Sequence, residues 1–117
     1  MNVLDHIGLY VKDLKGSSGF YGEVLGFEVV RTMETSTSKI VFLDTGEGLL
    51  ELIQRPGAPG KAPEGPWSHV AFKVDDYDAM ESKLEGMGLE LRKVVLGDGS
   101  RIAFFKDPDG HDVEIME

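Results

Sequence analysis

Residues 3 to 11, VLDHIGLYV, alternate in character. Ile7, Leu9 and Val11 fall on one side of an extended chain, and His6, Gly8 and Tyr10 on the other, the period of a half-buried strand. After Asp13 the period changes. Leu14, Phe20, Tyr21, Val24 and Leu25 recur at helical spacing, so a helix capped by Asp13 is expected to cover the apolar side of that strand, although Gly16, Gly19 and Gly22 each weaken it by up to ~1 kcal/mol relative to Ala. Three further strands are expected near 27–33, 39–44 and 48–54, with Thr45-Gly46-Glu47-Gly48 turning the chain between the last two. The pattern is βαβββ.

The same scheme then recurs. DHIGLYVKDL aligns with SHVAFKVDDY, KIVFLDTGEG with RIAFFKDPDG and LLEL with DVEI, each about 63 residues further on. Strands are expected near 68–74, 90–95, 101–106 and 112–116. The second helix is capped by Asp75 or Asp76 and carries Tyr77, Met80, Lys83, Leu84 and Met87 on one stripe. The segment Asp107-Pro108-Asp109-Gly110 forms a tight turn before the last strand. Between the halves, RPGAPGKAPEGP is too rich in Pro and Gly for a regular element. The reading is a single α+β domain of tandem βαβββ modules, 1–54 and 68–117, joined by a linker over 55–67 and forming a curved mixed sheet.

Composition narrows the function. A net charge of −9 opposes nucleic acid and anionic membrane surfaces, which require clustered Lys and Arg. No stretch approaches the ~20 apolar residues of a membrane helix, and the N-terminus lacks the basic start and apolar run of a signal peptide, so a cytoplasmic protein is expected. Cysteine is absent, which removes thiol nucleophiles, disulfides and thiolate metal sites. Any metal must be held by nitrogen and oxygen.

Strand parity singles out four such ligands. His6 and His69 point away from the helix-covered side of the first strand in each module. Glu51 and Glu114 alternate against Leu50/Leu52 and Val113/Ile115 in the last. A lone strand histidine is commonly a hydrogen-bonded structural residue, but a carboxylate set inside an apolar strand needs a partner. If the modules pair through these surfaces, two imidazoles and two carboxylates would meet around a divalent cation with no net charge. His111 is expected to face solvent, Asp107 and Asp109 to act as turn formers, and Lys73 to share the face of His69.

These segments, together with FYGEVLGFEVV and IAFFKDPDGHDVEI, resemble the vicinal oxygen chelate superfamily over essentially the whole chain. That superfamily includes glyoxalase I, methylmalonyl-CoA epimerase, extradiol dioxygenases, fosfomycin resistance enzymes and metal-free bleomycin-binding proteins. The resemblance implies metal ligands at His6, Glu51, His69 and Glu114. Glu at position 51 is most similar to glyoxalase I, a lyase that moves a proton through an enediolate whose two oxygens chelate the metal. Glu114 or Glu51 would be the base, with Glu114 favoured, and the metal Ni²⁺, Co²⁺ or Mn²⁺ rather than Zn²⁺.

Glutathione-using relatives carry Arg and Asn four residues after the first and second ligands. Here these positions hold Tyr10 and Arg55, which weakens the expectation of a glutathione co-substrate. Tyr10, Arg55, Trp67, Arg101 and Phe104, with Phe42 and Met33, are the candidates for binding a small thiohemiacetal or α-hydroxycarbonyl substrate. The resemblance also implies a homodimer. An epimerase, an iron-dependent dioxygenase and a drug-binding protein without chemistry are the competing readings.

Overall fold

A computed structural model describes residues 4–57 and 69–117. Trp67 and all but the first three residues of the expected linker lie outside them. The chain divides into two compact units, Met1–Pro63 and Glu64–Glu117.

In the first unit β1 (His6–Tyr10) leads through α1 (Leu14–Leu25) to β2 (Glu28–Glu34), β3 (Lys39–Asp44) and β4 (Leu49–Gln54). The sheet order is β1-β4-β3-β2. β1 runs parallel to β4, and the other neighbours are antiparallel. One face is dry because α1 covers it. Val11, Leu43, Leu50 and Leu52 are buried there together with Tyr21 and Val24 of the helix. Each such side chain contributes roughly 1.5–3 kcal/mol by leaving water.

The ends of α1 show how local chemistry sets its limits. Asp13 is the N-cap residue but its carboxylate makes no capping bond. The expected side-chain cap is therefore replaced: the free N–H of Leu14 donates to Gln54 Oε1 at 2.7 Å, fastening the helix to β4. At the other end Gly26 takes the left-handed conformation, φ 74°, that an L-residue disfavours, and its N–H closes on the Gly22 carbonyl at 3.0 Å.

The second unit repeats the plan with β5 (Val70–Lys73), α2 (Tyr77–Gly86), β6 (Arg92–Val95), β7 (Arg101–Lys106) and β8 (Asp112–Met116). Its order, β5-β8-β7-β6, again pairs the first strand in parallel with the last. Leu84, Ala103, Phe105, Val113 and Ile115 form the dry side. Of the two candidate caps it is Asp76 whose side chain accepts from Ala79 N, at 3.0 Å. Met87 departs from the expected stripe: it is the C-cap residue and 44% exposed, because the helix has ended before it could turn inward.

Both sheets are thus four-stranded and mixed, and each has one face left uncovered by its own helix. Among the described residues no helix is long and apolar enough to cross a membrane.

Candidate metal centre

On the uncovered face of the first sheet, His6 and Glu51 lie on adjacent strands. Their parity is opposite to that of Leu50 and Leu52, so the packing that buries those leucines turns the glutamate to the other side. His6 Nε2 stands 3.8 Å from Glu51 Oε1. The other ring nitrogen, Nδ1, is 2.7 Å from Asp5 Oδ2. With the proton on Nδ1 donated to that carboxylate, the Nε2 lone pair on the Glu51 side is free to hold a metal. Phe42, opposite Glu51 on β3, sets its ring at right angles to the imidazole with centroids 5.7 Å apart.

The second sheet repeats the arrangement more tightly. His69 Nε2 is 3.0 Å from Glu114 Oε1, and Glu114 is 8% exposed. Phe104, opposite Glu114 on β7, meets the His69 ring at 89° and 5.2 Å. Ala71 is the β5 partner of Glu114, as Gly8 is the β1 partner of Glu51.

The donor types suit a divalent cation, and the His69–Glu114 pair also has the spacing, whereas His6 and Glu51 at 3.8 Å stand wider. Two ligand atoms each about 2.1 Å from one ion lie about 3 Å apart when they subtend a right angle, close to the His69–Glu114 separation. Imidazole nitrogen and carboxylate oxygen suit borderline first-row ions.

Tyr10 and Arg55 share the ligand face: the guanidinium lies over the Tyr10 ring, 4.5 Å from its centroid, and donates to the phenolic oxygen. Phe104 is on the ligand face and Lys73 has the parity of His69. Arg101 is on the opposite face of the strand that carries Phe104. There it stacks on Tyr77 of α2 and donates to Asp78 Oδ1 and Glu117 Oε2, both at 2.7 Å. Those bonds raise the guanidinium pKa and lower both carboxylates, so this side chain is committed to an ion-pair network.

His111 does not face solvent as expected. Its ring turns back to Asp107, with Nδ1 2.7 Å from Oδ2, and its side chain is 15% exposed. Asp107 Oδ1 accepts from the backbone N–H groups of Asp109 and His111, at 2.9 and 2.8 Å, which makes it the turn former expected. The hydrogen bond to Asp107 raises the His111 pKa against the opposing effect of burial. Ligand atoms of Asp107, Asp109 and His111 fall within 4.8 Å of one another, close enough to hold a cation. The turn already uses both Asp107 oxygens, so the group is satisfied as it stands.

Two further arginines, which strand parity alone does not single out, lie on the ligand face. Arg31 lies over Phe42 with Cζ 4.1 Å from the ring centroid, and Arg92 over Phe104 at 4.3 Å. For Arg92 the internal repeat held a signal, since it precedes RIAFFK much as Arg31 precedes KIVFLD. For Arg31 local alternation gave none: a register shift between Val29 and Arg31 pairs Val29 with Leu43 but Arg31 with Phe42, switching the face.

Residues 3–115 match the family model of the Glyoxalase/Bleomycin resistance protein/Dioxygenase superfamily, and the chain belongs to that superfamily. It is 33% identical to the lactoylglutathione lyase of Salmonella typhimurium, over 96% of this chain and 90% of that one. Among solved structures, a glyoxalase family protein from Enterococcus faecalis has a TM-score of 0.84 at 28% identity, covering 98% of this chain and 97% of its own. The trypanothione-dependent glyoxalase I of Leishmania major has a TM-score of 0.85 at 25% identity, covering 100% and 87%. The resemblance and the fold read from sequence therefore hold.

Proposed function

We propose that the protein is a metal-dependent lyase or isomerase of the glyoxalase I type, with His6, Glu51, His69 and Glu114 as its metal ligands, acting as a cytoplasmic homodimer on a small thiohemiacetal or α-hydroxycarbonyl. The observation that carries this reading is the duplicated His–Glu pair, built at equivalent places in two sheets, with a full carboxylate at position 51. Similarity to lactoylglutathione lyase along nearly the whole chain supports it. Ni²⁺, Co²⁺ or Mn²⁺ is the favoured ion.

A divalent cation bound there supplies electrostatic stabilisation of the negative charge that develops when a proton leaves carbon beside a carbonyl. Glu114 takes that proton and returns it to the neighbouring carbon. Its carboxylate is suited to this because the surrounding strand excludes most water while His69 fixes its orientation. Glu51 is the second carboxylate on the ligand set. Asp5 holds the His6 ring in one tautomer. Tyr10 and Arg55, bonded to each other, form the polar edge of the same face and differ from the pair that glutathione-using relatives carry, so a thiol other than glutathione is a natural co-substrate to assay.

The test is metal analysis by mass spectrometry after reloading with Ni²⁺, Co²⁺, Mn²⁺ and Zn²⁺, followed by assays of methylglyoxal with several thiols. Retention of metal by the wild type, its loss in His69→Ala/Glu114→Ala, and thiol-dependent turnover are expected. Failure to hold any metal at neutral pH would overturn the reading in favour of a metal-free binding protein.

A further inference from the structure

Across each sheet the side chains beside the ligand pair form one transverse row. Gly8, Glu51, Phe42 and Arg31 occupy paired positions on β1, β4, β3 and β2. Ala71, Glu114, Phe104 and Arg92 do the same on β5, β8, β7 and β6. The order carboxylate, phenyl, guanidinium is therefore built twice. In the first sheet it is reached only through the register shift before Arg31, whereas the second sheet needs none.

The chemistry of the row is equally specific. Each guanidinium lies over the phenyl face, which holds its plane without using its N–H groups. Among the described residues neither Arg31 nor Arg92 has a carboxylate in ion-pair reach, although Lys93, next to Arg92, bridges Glu81 and Glu85. In a chain of net charge −9, two arginines left unneutralised at equivalent places beside the ligand pairs are positioned for an anion from outside.

We infer that Arg31 and Arg92 are specificity-determining residues that receive a carboxylate on the substrate. The inference rests on the metal-centre reading above and assigns the rest of the ligand. Its vicinal oxygens bind at the His–Glu centre, and a carboxylate tail reaches the guanidinium that covers the phenyl ring. Glutamate and arginine are two strands apart, so head and tail are separated by about 10 Å, twice the ordinary strand spacing.

The test uses metal-loaded protein and calorimetric titration with neutral-tailed acetohydroxamate and with monohydroxamates of dicarboxylic acids of increasing length. A tail of matching length is expected to tighten binding by about tenfold, the worth of a charge-assisted hydrogen-bonded pair at a partly exposed site. Arg31→Met, Arg92→Met and the double variant should lose that advantage stepwise while binding acetohydroxamate within about twofold of wild type, and Arg→Lys should restore part of it. A tail advantage absent from the wild type, or unchanged in the double variant, overturns the inference. So does a parallel loss of both ligands in the variants, which is what a purely structural arginine would give. If the wild type retains no metal and binds neither hydroxamate, the metal-centre reading fails and takes this inference with it. Acetohydroxamate binding without a tail effect overturns the inference alone.

Discussion

Gly8 and Glu51 face each other across β1 and β4, and a Cβ atom placed on Gly8 would stand 3.0 Å from Glu51 Oε1. That is closer than a methyl group and a carboxylate oxygen ordinarily approach, so an alanine there would displace the carboxylate by a few tenths of an ångström. Gly8→Ala is expected to weaken metal retention by roughly tenfold, as changes beside a ligand do. Global stability should change by less than ~1 kcal/mol, since the backbone at Gly8 is ordinary strand. Competition with a metal chelator, read beside urea unfolding, separates the two effects. Unchanged metal affinity would show that Glu51 is not held where a ligand is needed.

Glu114→Gln preserves shape and one acceptor oxygen while removing the ability to take a proton. It should therefore lower turnover by about 10²–10⁴-fold while the protein still folds and retains metal at reduced affinity. Steady-state kinetics on protein of measured metal content decide it. Activity within about tenfold of wild type, below the ordinary worth of a general base, would move the base elsewhere, with Glu51→Gln the next variant to measure.

Asp107 is fully buried at its side chain and accepts from two backbone N–H groups besides pairing with His111. Asp107→Ala leaves those donors in a dry turn and is expected to cost roughly 2–3 kcal/mol in urea unfolding. Asp107→Asn keeps one acceptor oxygen and should cost less. Equal stability of the Ala variant and the wild type would mean that the turn closes without these bonds.

The His111–Asp107 pair also predicts a pH dependence. The hydrogen bond to Asp107 raises the His111 pKa in the folded protein above its ordinary value of 6.5. The native state therefore holds a proton that the unfolded chain releases more readily, so the pair's contribution is fully present below about pH 6.5 and is lost as pH rises through the folded value. The stability difference between wild type and His111→Gln, measured by urea unfolding, is expected to be larger at pH 6 than at pH 8.5. A difference independent of pH would remove the charged pair from the account.

The order of elements, the repeat and the four His and Glu positions were legible in the amino-acid pattern alone. All of these rest on local period: alternation of two within a strand, of 3.6 within a helix, and turn residues between them. The dry faces around Leu50, Leu52, Val113 and Ile115 follow from that alternation, and with them the orientation of Glu51 and Glu114.

What lies beside those ligands depends on packing between elements. Arg101 and Phe104 are three residues apart and so fall on opposite faces of β7, which gives one to the ion pairs with Asp78 and Glu117 and the other to His69. His111 turned inward because the Asp107 carboxylate, itself buried by the packing of its turn, offers its ring a charged partner. Arg31 reached the ligand face through an irregularity in the pairing of β2 with β3. Register and bulges are properties of two strands together, so no local pattern in either one encodes them.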